Sequence, residues 1–251
     1  MKASVVLNST TAKRLIAQGV AAHPIVADAM SKGTVIVTLG TTNGYVASEL
    51  LGDPIDQGAF AAGVIDDRWN LNARLGEASD LVLKDGVQIP FDEKTVLGSL
   101  TAGDVIIKGG NALDPFGTVG VLLAAATGGT VGRYVPTAIA RGVDIVIPIS
   151  VAKSIHTLIA DLALEMGSRK LDLAMGIPCG MYPLTGHVVS EVEALGLLFD
   201  VRATHVCSSG IGIGRGSVSL LIEGEEESIR AAFERVQHLS ELPEIPVKGR
   251  R

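Results

Sequence analysis

Continuous apolar, β-branched runs bounded by glycine alternate with helix-like stretches along the first two thirds of the chain. Thr34 to Leu39, Asp104 to Lys108 and Val143 to Pro148 are the clearest runs. Their interiors carry apolar residues at successive positions rather than at alternate ones. Each therefore reads as a strand buried on both faces, as in a parallel sheet. Ser4 to Leu7 is a shorter β-rich run. Asn8 to Thr11 then offers N-cap residues for a helix over Ala12 to Gln18, with a second short helix over Ile25 to Ser31. Tyr45 to Leu51 and Val135 to Arg141 read as helices. Asp80 to Leu83 and Val87 to Phe91 read as a hairpin around Lys84-Asp85-Gly86, and Asp92 as the cap of a helix over Glu93 to Leu100. Strands alternating with helices in this way predict an α/β fold with a Rossmann-like, mostly parallel sheet.

Beyond residue 150 the pattern changes. Ser154 to Met166 has an apolar stripe of Ile155, Leu158, Ile159, Leu162 and Met166, which predicts one helix. Residues 167–170 suggest a boundary between domains 1–168 and 169–251. In the second, Leu171 to Met175, Ala203 to Cys207, Ser217 to Ile222 and Pro243 to Val247 read as strands. Val188 to Leu198 and Glu225 to Leu239 read as helices. That order predicts a C-terminal ferredoxin-like α+β domain.

Composition sharpens the picture. The chain has 251 residues, 47% hydrophobic and only 4% aromatic, with 30 glycines. Such a chain can build a sizeable core, and it lacks the low hydrophobicity and high net charge of disordered segments. Net charge is −6, so no general nucleic-acid surface is expected, although a local basic pocket for a small anion is compatible with it. The two cysteines, Cys179 and Cys207, make neither a disulfide framework nor a CxxC metal site. His23, His156, His187, His205 and His238 have no metal-ligand spacing. The longest low-charge stretch, 116–131, is glycine-broken and short for a membrane span. These features predict a cytoplasmic protein without a metal or cofactor.

Candidate chemistry sits in three segments. Gly40-Thr41-Thr42-Asn43-Gly44 follows a buried strand, where open α/β sheets bind ligands, and its N–H and hydroxyl groups suit an anion. The alternative is an ordinary capped βα turn, though five small polar residues exceed what one cap needs. Lys108-Gly109-Gly110-Asn111 ends the next strand. A lysine there is unfavourable to bury unpaired and is placed either to meet a phosphate, a carboxylate or a developing enolate, or simply to reach solvent from the strand end. Asp114 is either a general base, the partner of Lys108, or the start of a turn at Pro115. Ala126 to Arg133 is either a second anion nest, with Thr130 and Arg133 as ligand contacts, or a flexible loop or packing seam. It is not a nucleotide P-loop. Lys153, just after the third strand, is placed to face the same cleft or solvent. The glycine tract 208–216 joins two predicted strands and reads as a hairpin connection.

Ile106 to Leu113 resembles the Lys-Gly-Gly-Gly signature of ribose-5-phosphate isomerase. Val37 to Thr42 resembles that family's Gly-(Ser/Thr)-Thr phosphate loop. The resemblance extends to the wider superfamily of sugar-phosphate isomerases, DeoR-type sensors and CoA transferases, and covers about residues 33–150. It implies that Thr41, Thr42, Lys108, Gly109 and Gly110 bind ligand. The isomerase's catalytic glutamate falls on Gly117 here, so its proton shuttle does not carry over.

These readings together predict a cleft for a small phosphorylated or carboxylated metabolite. Lys108 and Asp114 are the catalytic candidates. Gly40, Thr41, Thr42, Asn43, Gly109, Gly110, Asn111, Thr130 and Arg133 are the binding candidates. The expected partner is a small anionic metabolite, not nucleic acid or a membrane, and the chain is expected to form a homo-oligomer. Sugar-phosphate isomerisation leads as the reaction. A non-catalytic sensing or assembly protein and an acyl-CoA-related transferase are the alternatives.

Overall fold

A computed structural model describes residues 1–63, 65 and 77–243. Strand β1 (Lys2–Leu7) leads into helices α1 (Ser9–Ala22) and α2 (Pro24–Lys32), then β2 (Thr34–Val37), α3 (Thr41–Leu51) and α4 (Gln57–Phe60). The hairpin β3 (Leu81–Lys84) and β4 (Val87–Ile89) precedes α5 (Glu93–Ser99) and β5 (Val105–Ile107). Next come β6 (Ala112–Leu113), β7 (Val119–Leu123), α6 (Gly129–Arg141), β8 (Asp144–Pro148) and a 3₁₀ turn at Val151–Lys153. The chain continues with α7 (Ile159–Glu165), β9 (Gly180–Leu184), β10 (His187–Val189) and α8 (Glu191–Phe199). It then forms β11 (Arg202–Ser209), β12 (Ser217–Glu223) and α9 (Glu226–Glu241).

The central sheet has the order β10-β8-β5-β2-β3-β4. Its first four strands are parallel, and the β3–β4 hairpin adds to the β2 edge antiparallel. This is a mixed α/β fold with a largely parallel sheet, of generic Rossmann-like architecture. Alternation along the strands sends Val35, Val37, Val105, Ile107 and Val146 to one face, against α1, α3 and α8. Ile36, Ile106, Ile145 and Ile147 go to the other, against Val131, Tyr134, Val135 and Ala138 of α6. Both faces are covered, which explains the unbroken apolar runs. Helix α1 starts where the Asn8 side chain accepts from the Thr11 N–H. It lies so close to α8 that a Cβ on Gly19 would sit 2.5 Å from that of Ala194.

Among the described residues, 169–243 do not form a sheet of their own. Each of the three sheets among the described residues contains strands from both sides of residue 168. β10 extends the central sheet alongside β8, β9 pairs with β7, and β11 and β12 pair with β1 at the N-terminus. The expected strand at 171–175 is irregular and exposed. The sheet edge beside β8 is taken by His187–Val189, at the start of the expected helix. The other expected strand, Pro243 to Val247, lies outside the described residues except for Pro243.

The long helix expected from Ser154 is confined to Ile159–Glu165. Upstream, the Ile155 N–H donates to the Leu113 carbonyl and Ser154 bridges to Leu113, which holds this stretch extended along β6. No helix among the described residues is long and apolar enough to cross a membrane.

Candidate anion-binding cleft

The carboxyl ends of β2, β5 and β8 open into one cleft of about 250 Å³. Leu39 to Asn43 from the β2–α3 connection, Lys108 to Asn111 after β5, Gly128 to Val131 at the start of α6, and Lys153 all line it. Four segments distant in sequence thus meet: the parallel strands β2, β5 and β8 deliver their connections to one edge of the sheet, and α6, the helix that leads into β8, begins at the same edge.

The first wall is the start of α3. What reads as a loop is its opening turn: Gly40 is the N-cap, and no side chain caps the helix. The first-turn N–H groups of a helix lack intrahelical partners and carry the positive end of its dipole. Gly40 is held by its N–H to the Phe60 carbonyl, and Leu39 by its N–H to Asp80 Oδ1 at 2.9 Å.

Asn43 does a different task from the one its sequence context suggests. Its Nδ2 donates to the Thr38 carbonyl at 2.8 Å, to Thr38 Oγ1 at 3.2 Å and to the Ile107 carbonyl at 3.3 Å. It ties the ends of β2 and β5 together. Its buried Oδ1 has no partner and is left as an acceptor, so Asn43 suits a ligand hydroxyl or N–H rather than the anion itself.

The second wall carries the cations. Lys108 Nζ donates to the Gly109 carbonyl at 2.7 Å, and Lys153 Nζ donates to the Gly110 carbonyl at 2.7 Å. Burial draws the Lys108 ammonium down to about 8, helped by the nearby Lys153 charge and opposed by Asp80. Burial also draws Lys153 down to about 8, helped by Lys13 and opposed by Glu191. Among the described lining residues there is no carboxylate. The glycines differ in purpose. A Cβ on Gly110 would strike Val119 Cγ1 at 2.0 Å, so this glycine serves packing. One on Gly109 would meet only ordinary or slightly tight neighbours, the nearest being Asn43 Oδ1 at 3.3 Å. Asn111 accepts the Leu122 N–H through Oδ1 at 3.0 Å, which leaves its Nδ2 to donate.

The third wall is the start of α6, N-capped by Gly128 in the left-handed region without a side-chain cap. A Cβ on Gly132 would lie 1.9 Å from the Thr127 carbonyl oxygen. Gly132→Ala is therefore expected to displace the 127–130 turn, lower stability by about 1–3 kcal/mol and weaken anion binding. Gly98→Ala is the control, because a Cβ there meets nothing within 4 Å. Denaturant titration and phosphate titration of both variants check this.

Two expected site residues lie elsewhere. The Arg133 guanidinium pairs with Asp80 Oδ2 at 3.1 Å and with Glu93 Oε2 at 3.2 Å, over the Phe91 and Tyr134 rings. Thr130, one turn earlier, does line the cleft. Asp114 accepts N–H bonds from Phe116, Thr118 and Ile159 at 2.9–3.2 Å. Burial alone would raise its pKa, but these donors outweigh it and hold the carboxyl below its ordinary value. It borders a separate cavity with His156, His205 and Cys207.

Two supporting carboxylates carry no local sequence signal of their role. Asp80 anchors Leu39. Glu191, fully buried, accepts from Ser150 Oγ at 2.5 Å and from the Val151 N–H at 2.9 Å, and so fixes the turn that presents Lys153. Burial pushes its carboxyl above the ordinary range. Glu191 follows the N-cap Ser190 and reads locally as a helix-start residue, so only the fold reveals its second role.

Cys179 is buried, with its thiol pushed up by burial and donating to the Ile177 carbonyl. No group of three metal-ligating side chains occurs among the described residues. No protein-family model, curated protein or solved structure matches this chain.

Proposed function

We propose that this cleft binds a small phosphorylated or carboxylated metabolite. One observation carries the reading. Two lysine ammonium groups and two helix N-termini without side-chain caps converge there, and no described lining residue supplies a carboxylate to neutralise them. An anion would lie on the first turns of α3 and α6, with Thr41, Thr42 and Thr130 as hydroxyl donors and Lys108 and Lys153 as counter-charges. The likeness of Ile106 to Leu113 to an isomerase signature agrees with a sugar-phosphate ligand.

Isomerase-like proton transfer through Asp114 has less support, because that carboxylate is engaged by main-chain donors and borders another cavity. The lack of a carboxylate base among the described lining residues favours the second reading, a metabolite-sensing protein that binds without turnover.

A thermal-shift series with inorganic phosphate, sugar phosphates, small carboxylates and short acyl-CoAs tests the proposal. A ligand at about 100 times its Kd should stabilise by about 2.7 kcal/mol. Lys108→Ala should lose that shift. A variant that keeps the parent's affinity, or a parent that responds to no anion, would overturn the assignment.

A further inference from the structure

We propose that Lys108 is an imine-forming residue, whose Nζ condenses with the carbonyl carbon of a small anionic aldehyde or ketone held in the cleft. This rests on the anion-binding reading above and narrows the ligand to one that carries a carbonyl beside its phosphate or carboxylate.

The arrangement of the two lysines is the starting point. Lys108 and Lys153 donate to consecutive main-chain carbonyls, those of Gly109 and Gly110, so both ammonium groups lie against the same short stretch of chain. Neither makes an ion pair among the described residues; each has a neutral oxygen as its hydrogen-bond partner. Charge balance alone does not call for this, since one permanently charged arginine would hold an anion as well. A lysine differs in that it can shed its proton, and a desolvated lysine beside a second cation is the usual way to obtain a free amine near neutral pH.

Four charged groups act on this pair. Lys153 and Lys13 disfavour the ammonium forms, while Asp80 and Glu191 favour them. Burial and like charge prevail, and both lysines are drawn down to about 8. At pH 7 such an amine is free on the order of a hundred times more often than one at the ordinary value of about 10.4.

The rest of the cleft fits the step. The helix starts of α3 and α6 would fix the anionic end of the substrate. Leu39, Val121 and Leu123 line the cleft with aliphatic surface. The unpartnered Asn43 Oδ1 supplies an acceptor for the N–H of a protonated imine or for a hydroxyl next to the carbonyl. In the step itself, the neutral amine adds to the carbonyl carbon and the C–N bond forms. The carbonyl oxygen then leaves as water, taking the second amine proton and one from solvent or Lys153. Overall, one ammonium and one carbonyl give one protonated imine and one water, with charge conserved. The cationic imine draws electrons from the adjacent C–H bond.

The test is reductive trapping on the full chain. The protein is incubated at pH 7 with sodium cyanoborohydride and glyoxylate, pyruvate or dihydroxyacetone phosphate, and each lysine is followed by peptide mass mapping. Lys2 and Lys32, whose side chains are 68% and 71% exposed, serve as internal references. Lys108 should be labelled at least about tenfold faster than either, with saturation in the probe. Inorganic phosphate should slow labelling at Lys108 and leave Lys32 unchanged.

Lys153→Met removes the neighbouring charge, so labelling at Lys108 should slow and the midpoint of its pH profile should rise, a change that a purely structural role would not produce. If Lys108 is labelled no faster than Lys32 while phosphate or the probes still shift the melting temperature, the imine is refuted and the anion site stands. If neither preference nor shift is seen, both readings fall.

Discussion

The Lys108→Met, Lys153→Met double variant is expected to be more stable than the parent at pH 7 and to bind no anion. Methionine keeps most of the side-chain volume and gives up one hydrogen bond at each site, to the carbonyls of Gly109 and Gly110. What it removes is larger. Two ammonium groups sit in the cleft without an ion pair, and each is drawn from 10.5 to about 8, chiefly by burial. That depression caps the unfavourable contribution at about 3 kcal/mol per lysine, and water in the open cleft reduces it. Even buried ion pairs, where the charges have partners, are commonly replaced by apolar groups of similar volume neutrally or with a gain of about 1–4 kcal/mol, and we expect a gain within that range for these lysines.

The sign is checked through pH. A depressed lysine pKa means that the unfolded chain binds more protons than the folded one between about 8 and 10.5. The stability contribution of such a group is fully present above 10.5 and is lost as pH falls through about 8. The gap between variant and parent should therefore be widest near pH 7 and close as pH rises towards 10. Parallel denaturant titrations at several pH values measure it; groups remote from the lysines cancel in the difference, whereas Asp80, Glu191 and Lys13, which act on them, contribute to it. A double variant less stable than the parent at pH 7 would mean that the lysines are better paired than their contacts indicate. An increase in stability accompanied by loss of binding is the pattern expected where a binding site holds unneutralised charge for its ligand.

The sequence alone makes this cleft legible to a specific extent. Residues 34–39, 104–108 and 143–148 are continuous and β-branched, so their assignment to parallel strands needs no tertiary information, and parallel strands share one carboxyl edge. The convergence of Thr41, Thr42, Lys108, Asn111, Thr130 and Lys153 follows from that topology. The directions of individual side chains do not follow. Arg133 sits one turn from Thr130, but its partner Asp80 comes from another strand start far away in the chain, so its local context cannot show that it points away from the cleft. Asp114 did carry a readable signal. An Asp before Pro115, with Gly117 and Thr118 beyond, has turn chemistry, and the side chain accepts from the N–H groups of Phe116 and Thr118 as such turns do.

The C-terminal third is less legible for a related reason. Alternation identifies β12 as a strand with one buried face, whereas β11 is half-buried or exposed throughout, and neither pattern says which strand lies alongside. The register Lys2 to Glu223 through Leu7 to Val218 joins strands far apart in the chain, and no local pattern encodes it. His187–Val189 is only three residues long and abuts the α8 cap, so its strand character comes from the free edge of β8.

Asp80→Ala is expected to lower stability by about 3 kcal/mol and to weaken anion binding at the first turn of α3, although Asp80 does not line the cleft. Its side chain is 2% exposed and serves three donors: the Leu39 N–H at 2.9 Å, the Tyr134 hydroxyl at 2.6 Å and Arg133 at 3.1 Å. Truncation leaves these donors unequally exposed. Arg133, a third exposed, can turn to water and keep Glu93, so its share is modest. Tyr134 is 1% exposed and its hydroxyl has no other acceptor within reach among those described, which makes it the larger share. The Leu39 N–H matters for function, because Leu39 directly precedes the Gly40 cap and fixes where the α3 N–H groups point. Releasing it should weaken phosphate binding by about fivefold, roughly 1 kcal/mol of lost preorganisation.

Asp80→Asn separates the two effects. The amide oxygen can still accept from Leu39 while the charge facing Arg133 is gone, so binding should be retained and stability should fall by an intermediate amount. Denaturant titration and phosphate calorimetry on both variants test this. Equal loss of binding in Asp80→Asn and Asp80→Ala would assign the effect to the charge reaching Lys108 rather than to the Leu39 hydrogen bond, since Asp80 also favours the protonated form of that lysine.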